Sequence, residues 1–299
     1  MITLQASCKI NLSLKITGLR PNGYHELDSF FYPLSHPTDR LEILPSEQQG
    51  LTLLTESAAI LPANNTLTKC YDALAKVVGA ENLPNIFVHL HKVIPIGAGL
   101  GGGSSDAACL LRHLNNCLTT PLKHPQLVQV AKEIGADVPF FLGKSAAHVQ
   151  GIGEIITQGA IDLSPYILVL CCPQNQHVDT AWAYAQFDKD NIRAVDGQSH
   201  PLTKQPLCLK FEPSNAPMQE SSTFRCINDL ESCVCAHCPQ IRQVREAINA
   251  YDPLVCTMTG SGASFYALFA PNMAAKLPPL IQTLADCHCV VYAFPPATL

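Results

Sequence analysis

Hydrophobic and polar residues alternate along the first segment of the chain. The even-numbered residues from Ile2 to Ile16 are all apolar, whereas Lys9 and Asn11 occupy odd positions. Since successive side chains of a strand point to opposite faces, this pattern predicts a long, half-buried strand whose polar face carries Lys9 and Asn11. Shorter apolar or alternating segments predict further strands at 41–44, 51–54, 86–90 and 166–172.

Apolar residues at helical spacing predict several helices. They lie at 67–78, 127–134, 226–234 and 240–251. Gly135 is predicted to end the helix at 127–134, and Pro139 to block its continuation. The C-terminal part then predicts a strand, a glycine-rich turn at 259–264, a second strand, a helix and a final strand. Because strands and helices alternate irregularly, the pattern favours an α+β fold.

Length, composition and charge narrow the class of protein. A chain of 299 residues with 47% hydrophobic residues is long enough for two domains, which we predict at 1–160 and 161–299. Its net charge of −5 argues against nucleic acid and acidic membrane surfaces as partners. The first residues do not resemble a signal peptide, and the longest apolar run, at 166–172, is too short to span a bilayer. These features predict a cytoplasmic protein.

Cysteine content raises the question of disulfides and metal. The chain has 14 cysteines, and in a cytosolic protein these are expected to stay reduced. One cluster contains Cys226, Cys233, Cys235, His237 and Cys238. Its spacing lacks the paired C-x2-C turns that grip a tetrahedral zinc ion, so we predict packing in the core for these residues.

A glycine-rich segment, Pro95–Ser105, is the strongest local signal for function. A predicted helix follows it at once, with apolar residues on one face, namely Ala107, Leu110, Leu111, Leu114 and Leu118. Glycines let backbone N–H groups approach an anion closely, and a helix start adds unpaired donors and the positive end of its dipole. The segment therefore predicts a polyphosphate site.

Two well-known phosphate loops do not fit this segment. Gly97, Gly99 and Gly102 satisfy the dinucleotide pattern G-x-G-x-x-G, but no acidic residue follows at about 20 positions to hold a ribose. A Walker A loop needs Lys where Gly103 stands. A plain connector capped by Ser104 is the remaining alternative, although five glycines in such a short stretch cost considerable chain entropy.

The loop resembles that of the GHMP kinases, and the turn Thr259–Ser264 resembles their third glycine motif. Within the family the similarity narrows to members that phosphorylate a cytidine-diphosphate-linked methylerythritol. It rests on four further segments in the family's order: Lys9–Leu12, Gly18 with Arg20–Leu27, Gly135–Phe141 and Asn228–Glu231. Ser7-Cys8 replaces the Pro-Ala common in the family, and the segment 188–222, rich in Pro, Ser, Gln and Asn and predicted to be the least structured, matches no family motif.

The resemblance implies a two-domain fold and an ATP-dependent reaction. The N-terminal domain would resemble the second domain of ribosomal protein S5, the C-terminal half would be ferredoxin-like, and the site would lie in the cleft between them. ATP would act as phosphoryl donor with Mg²⁺, for which no carboxylate cage can be identified. The residues assigned to ATP are Pro95, Ile96, Gly97, Ala98, Gly99, Leu100, Gly101, Gly102, Gly103, Ser104 and Ser105.

The same resemblance assigns roles at the acceptor. Asp137 would be the base that accepts the substrate hydroxyl's proton, and Lys9 would keep it ionised and meet developing charge on phosphate. The acceptor would contact five residues: Asn11, Tyr24, His25, Thr180 and Tyr184. From position alone, a turn residue after Gly135 is the favoured interpretation of Asp137, and the motif reverses it. A lone lysine on a strand is usually solvated, but Lys9 shares its polar face with Asn11, Ser7 and Ser13, which suits a wall that faces a ligand.

Several alternatives remain open from the sequence. Trp182 competes with Tyr184 as the stacking ring, Asn64, Asn65 and Lys92 are candidates for the adenine side, and His89 and His91 are interpreted as structural. The acceptor could instead be homoserine or mevalonate, neither of which needs the Tyr24-His25 pair. A catalytically silent ligand-binding regulator is the third hypothesis, and it has no use for Lys9 and Asp137.

Overall fold

The computed structural model of the protein describes residues 1–55, 65–194, 207–214 and 221–296, the side chains of 191–194 excepted. The strands within these residues are β1 (Ile2–Leu19), β2 (His25–Pro45), β3 (Leu51–Thr55), β4 (Ile86–His91), β5 (Ala146–Gly151), β6 (Ile155–Ala160), β7 (Ile167–Pro173), β8 (Cys208–Pro213), β9 (Ser222–Arg225), β10 (Val255–Met258), β11 (Phe265–Phe269) and β12 (Cys289–Phe294). The helices are α1 (Thr66–Val78), α2 (Gly102–Cys117), α3 (His124–Ile134), α4 (Val138–Leu142), α5 (Thr180–Ala194), α6 (Glu231–His237), α7 (Pro239–Asn249) and α8 (Leu277–Asp286).

The first sheet has the order β3-β4-β2-β5-β6-β8-β9, and β1 pairs with β2 along almost its entire length. Pairing is antiparallel except between β3 and β4. β8 and β9 come from the second half of the sequence, yet β8 joins β6 at Gly159 and Ala160. The first sheet therefore contains strands from both sides of the predicted domain boundary at 160/161. The boundary itself stays a prediction.

The second sheet has the order β10-β11-β7-β12, with all neighbours antiparallel. Helices α5 to α7 lie between β7 and β10, with β8 and β9 of the first sheet inserted after α5, and α8 connects β11 to β12. If β7, β10, β11 and β12 are numbered 1 to 4, their order in the sheet from the β12 edge is 4-1-3-2. This strand arrangement and the β-α-β-β-α-β order are those of a ferredoxin-like unit. The predicted α+β class and the ferredoxin-like C-terminal half are confirmed.

Burial of β1 differs from the prediction of a half-buried strand. Its apolar residues Cys8, Ile10 and Leu12 pack in a core shared with the second sheet, and Tyr266 of β11 donates its hydroxyl to Leu12 O at 2.7 Å. The polar face is also buried, because the glycine loop and the turn after β10 cover it. The middle of β1, covered on both faces, is what positions Lys9.

Most predicted helices are confirmed, with two corrections at their ends. The predicted helix at 226–234 begins only at Glu231, because β9 extends to Arg225 and Asn228 turns the chain by accepting from Leu230 N at 2.9 Å. Pro139 does not simply block a helix, since it lies in the first turn of the short helix α4. The segment 188–222, predicted to be the least structured, contains the end of α5 and all of β8; residues 195–206 and 215–220 lie outside the described residues.

Candidate functional site

The glycine-rich segment forms one wall of a cavity of about 370 Å³. Such a volume lies within the range of small-molecule sites. All residues from Pro95 to Ser104 line it, whereas Ser105 is buried behind them. The opposite wall consists of Asn65, Thr66, Leu67, Leu90, Lys92 and Asp106.

Backbone conformation suits this loop to an anion. Gly97, Gly99 and Gly101 have φ values of 68°, 77° and 71°, a region that residues with a Cβ rarely adopt. Helix α2 begins at Gly102, earlier than a cap at Ser104 would place it, and its N-cap Gly101 makes no side-chain capping bond. The first N–H groups of α2 therefore face the cavity without a side-chain acceptor from the cap, as an anion-binding helix start requires.

A steric argument leads to a prediction for Gly102. A Cβ there would lie 2.9 Å from Ile94 Cγ2 and 3.2 Å from Lys92 Nζ, whereas a Cβ at Gly103 meets Thr66 Oγ1 at 3.3 Å and little else. We expect Gly102→Val to raise the Kd for ATP at least about tenfold, a loss of about 1.4 kcal/mol, while the control Gly103→Ala changes it little. Isothermal titration of variants with native circular dichroism checks this; native ATP affinity in folded Gly102→Val would support the plain connector.

The turn Thr259–Ser264 packs directly against the glycine loop at Gly99. Thr259 Oγ1 donates to Gly99 O at 3.3 Å, and a Cβ on Gly99 would lie 2.1 Å from Thr259 O. Likewise, a Cβ on Gly260 would lie 3.0 Å from the Gly99 Cα. Some of these glycines are therefore required for the close approach of two loops, a role separate from phosphate contact.

Lys9 and Asp137 come together although most of the first half of the chain separates them. Lys9 Nζ lies 3.5 Å from Asp137 Oδ2 and donates to Asn11 Oδ1 at 2.6 Å and to Gly99 O at 3.0 Å. The Lys9 side chain is 4% exposed and that of Asp137 31%. Asp137 is the N-cap of α4 but makes no side-chain capping bond, so its carboxylate remains available for other contacts. The pair joins a fixed cation to an accessible carboxylate beside the glycine loop.

Buried groups around Lys9 fix its direction. The ammonium lies 4.7 Å from the centre of the Phe31 ring, a cation–π contact that the sequence analysis missed. Asn11 donates from Nδ2 to Ser29 Oγ at 3.0 Å, and its backbone N–H donates to Thr259 Oγ1 at 2.8 Å. Asn11 thus holds Lys9 rather than standing free to contact a ligand with its amide oxygen.

Aromatic residues gather on the far side of Asp137. His25 stacks on Tyr184 with ring centres 4.7 Å apart and an interplanar angle of 25°, and His25 Nε2 lies 2.8 Å from Asp188 Oδ1. Burial and the nearby Asp137 charge raise the pKa of Tyr184 to about 12. Tyr24, in contrast, is 61% exposed on its turn.

The other predicted acceptor residues fall at the edge of this group. Thr180 Oγ1 pairs with Ser261 Oγ at 2.9 Å, which links the start of α5 to the turn Thr259–Ser264. Trp182 is 36% exposed and meets His237 edge-on at 6.0 Å, so its ring is separate from the His25–Tyr184 stack. Asn64 lies outside the described residues, and Asn65 caps α1 by accepting from Leu67 and Thr68 N–H groups at 2.9 Å.

Lys92, a candidate for the adenine side, belongs to a buried charge cluster beneath the cavity, and its partners Asp39 and Asp106 carry no signal in the sequence. Lys92 is paired with Asp39 and with Asp106, the latter at 2.9 Å, and Asp39 Oδ1 accepts from the backbone N–H groups of Val93 and Ile94 at 2.6 and 2.8 Å. Burial, opposed by Lys92 and reinforced by Asp39, raises the pKa of Asp106 to about 7. Burial opposes charge on Lys92, but the two carboxylates outweigh it and raise its pKa. The cluster fixes the chain that leads into the loop.

The segment Asn228–Glu231 supports the site from behind. Asn228 Nδ2 donates to Met258 O at 2.7 Å and to Gly260 O at 2.8 Å, and Asp229 Oδ2 accepts from Ile16 N at 2.8 Å. Glu231 accepts from Met258 N at 2.8 Å, and burial raises its pKa. These side chains tie the turn after β10 to β1, a role that no local pattern indicates.

The cysteine cluster packs in and around α6. Cys226, Cys233 and Cys235 are buried, and Cys233 Sγ donates to Leu230 O at 3.0 Å. Burial raises the pKa of the Cys226 and Cys235 thiols to about 12. A thiol held in its protonated form is a poor metal ligand. That this cluster binds no zinc stays a prediction.

Within the described chain, no helix combines the length and the apolar character needed to span a membrane.

Comparison with known proteins matches both halves of this architecture. Residues 65–144 match the GHMP kinases N terminal domain, and residues 211–277 match the GHMP kinases C terminal domain. The first match contains the glycine loop and Asp137, and the second contains Asn228–Glu231 and the turn Thr259–Ser264. The sequence motifs and the family models therefore agree on the same segments.

Individual relatives narrow the assignment. A 4-diphosphocytidyl-2-C-methyl-D-erythritol kinase of Nitratidesulfovibrio vulgaris is 40% identical over 271 residues, 90% of either chain. A crystal structure of 4-(cytidine 5'-diphospho)-2C-methyl-D-erythritol kinase aligns over 98% of both chains with a TM-score of 0.70 and 26% identity. Homoserine kinase of Cytophaga hutchinsonii aligns over 98% of this chain and 93% of its own with a TM-score of 0.64, but at 15% identity it shares the fold alone. The chain belongs to the GHMP kinases, and within them to the 4-diphosphocytidyl-2-C-methyl-D-erythritol kinase family.

Proposed function

We propose that this enzyme transfers the γ-phosphoryl group of ATP to the 2-hydroxyl of 4-diphosphocytidyl-2-C-methyl-D-erythritol, in the non-mevalonate route to isoprenoid precursors. The names of its relatives support this acceptor. One structural observation carries the proposal. The Lys9–Asp137 pair, 3.5 Å apart, lies between the glycine-loop cavity and the His25–Tyr184 stack. ATP in the cavity and an acceptor whose cytosine lies at the stack would therefore meet at the Asp137 carboxylate.

In this reaction Asp137 accepts the proton of the attacking hydroxyl, because its partly exposed carboxylate is an available base beside the loop. Lys9 keeps that carboxylate ionised and offers positive charge to the phosphoryl group as it moves. The N–H groups of the glycine loop and of the α2 start hold the polyphosphate. Phosphoryl transfer needs mainly positioning and charge stabilisation, which is what these parts provide.

Mg²⁺ belongs to this proposal, since the ion neutralises the β- and γ-phosphates of ATP when bound. The residues present fit such an ion. Ser104 lines the cavity, and Asp106 Oδ1, also in its wall, is buried with no hydrogen-bond partner in the structure. We propose that the Ser104 hydroxyl and Asp106 supply the protein's oxygen atoms near the ion.

Stacking at the His25–Tyr184 pair leads to a prediction for the acceptor. A cytosine that inserts against Tyr184 would gain about 1–3 kcal/mol of stacking. We expect Tyr184→Ala to raise KM for the cytidylyl substrate roughly 5–150-fold, the equivalent of that energy, with KM for ATP nearly unchanged. Tyr184→Phe keeps the ring and is the matched control. An unchanged acceptor KM in Tyr184→Ala would remove this residue from the pocket.

A coupled assay of ADP release tests the acceptor directly. Wild-type enzyme is supplied in turn with 4-diphosphocytidyl-2-C-methyl-D-erythritol, homoserine and mevalonate, and kcat/KM is compared. We expect the cytidylyl substrate to exceed the other two by several orders of magnitude, because neither of them fills an aromatic pocket. Higher kcat/KM with homoserine or mevalonate contradicts the acceptor, and ADP release with none of the three supports a silent regulator.

Two further assignments accompany this function. We propose that 1–160 and 161–299 are the two domains, with the acceptor bound in the cleft between them, since His25 and Tyr184 belong to different halves. We also propose that the enzyme works in the cytoplasm on a small molecule, without nucleic acid or membrane as partner, because its net charge of −5 opposes both.

A further inference from the structure

Two histidines and a glutamate meet on the first sheet, away from the glycine loop. His89 and His91 are on β4 and Glu42 is on β2, where it lies directly opposite His89 in the strand register. Because alternate residues of a strand share a face, both imidazoles and the carboxylate project from the same side of the sheet. This is the face opposite the buried Val88 and Leu90.

The ligand atoms of these residues converge. His91 Nε2 lies 3.1 Å and His89 Nδ1 3.6 Å from Glu42 Oε2, and each of the three residues offers a ligand atom within 4.8 Å of those of the other two. Two ligands on one tetrahedral zinc ion, with bonds of about 2.0–2.1 Å, are separated by about 3.3 Å. The two measured separations bracket that value.

Surrounding groups favour a ligand set over a chance contact. Arg40 Nη1 holds the other carboxylate oxygen, Oε1, at 3.1 Å and so directs Oε2 toward the histidines. Ligating carboxylates in metal sites are commonly held in this way. The side chains of Glu42, His89 and His91 are 16–20% exposed, which leaves a path for an ion and for a water molecule. The residues paired with Glu42 and His89 on the adjacent strands, Thr3 on β1 and Leu54 on β3, carry no charge.

We propose that Glu42, His89 and His91 form a binding site for Zn²⁺. Two imidazoles and one carboxylate are a ligand set that zinc accepts with its fourth position open to water. The ion would cross-link β2 to the end of β4. Lys92, which is part of the charge cluster beneath the cavity, follows His91 directly. Zinc would therefore stabilise the fold just before the chain enters the glycine loop.

A titration of metal-stripped, tag-free enzyme with Zn²⁺ against a chromophoric chelator tests the site. We expect about one equivalent in the wild type and at least a tenfold weaker affinity in His91→Gln and in Glu42→Gln. Loss of an outer-shell partner alone costs 10–100-fold at known sites, so loss of a ligand should cost no less. Cys238→Ser is the matched control for the cysteine cluster and should bind zinc like the wild type.

Two readouts separate binding from folding defects. Bound Co²⁺ should give visible d–d bands in the wild type and in Cys238→Ser but not in His91→Gln, and zinc should raise Tm in the same two proteins only. No zinc uptake by the wild type would mean that the residues form an ion-pair network between strands, which overturns the proposal. Equal uptake by wild type, His91→Gln and Glu42→Gln, or loss of uptake in Cys238→Ser, overturns it as well.

Discussion

Asp137→Asn is expected to lose about 10²–10⁴-fold in kcat, the usual contribution of a general base, while both KM values stay close to those of the wild type. The amide keeps the size of the carboxylate and much of its hydrogen bonding, so the position next to Lys9 Nζ, 3.5 Å away, should survive. It cannot accept a proton. Steady-state kinetics with each substrate varied in turn measures this effect.

A second carboxylate serves as the control for this change. Asp162 is exposed and accepts from Ser164 N at 2.9 Å, away from the cavity. Asp162→Asn should therefore leave kcat unchanged. If folded Asp137→Asn kept more than about a tenth of the wild-type kcat, well short of what removing a base costs, Asp137 would not be the base and catalysis would depend on positioning and Mg²⁺.

Lys9→Met is expected to be nearly as damaging to kcat, with a loss of roughly 10²–10³-fold, the cost of removing one group that stabilises transition-state charge. Its side chain is 4% exposed, and its ammonium is held by Asn11, Gly99 and Asp137 at once, so no water or neighbouring lysine can replace it. Lys15→Met, on an exposed position of the same strand, is the matched control and should behave like the wild type. Because removing Lys9 leaves buried acceptors unpaired, Tm must be measured alongside kcat.

Coupling between the two residues is a stricter requirement. If Lys9 and Asp137 act as one unit, the double variant should lose little more than the worse single variant. Full multiplication of the two losses would mean that each acts independently, and Lys9 would then serve phosphate binding without assisting Asp137.

Local patterns predicted most of the elements of the fold. The alternation from Ile2 to Ile16 predicts β1, and the helical spacing at 67–78 and 127–134 predicts α1 and α3, because these periods follow from the local geometry of strand and helix. The predicted start of α6, at 226, was wrong by several residues, since the helix begins at Glu231. Its position depends on the pairing of β9 and on bonds from Asn228 to the distant turn after β10, which local spacing does not contain.

The site was predictable only in part, for the same reason. Glycine content indicates an anion loop at 95–105, but nothing in the spacing indicates that Gly99 touches Thr259 or that Lys9 meets Asp137. Those contacts join segments far apart in the chain, and the family resemblance alone brought them together. Asp39 was overlooked because a single aspartate in an alternating segment looks solvent-facing, whereas it is fully buried against Lys92.

The position of the transferred phosphate, and its dependence on Asp137, can be determined by analysing the product. Wild-type enzyme, ATP, Mg²⁺ and 4-diphosphocytidyl-2-C-methyl-D-erythritol are incubated, and the product is examined by ³¹P NMR beside an Asp137→Asn reaction of equal enzyme concentration. We expect one new phosphomonoester signal, from a phosphate attached at the 2-hydroxyl, with the diphosphate of the substrate intact. Its formation should be at least about a hundredfold slower in Asp137→Asn. A phosphate on another hydroxyl, no phosphomonoester at all, or equal rates in the two reactions would contradict this expectation.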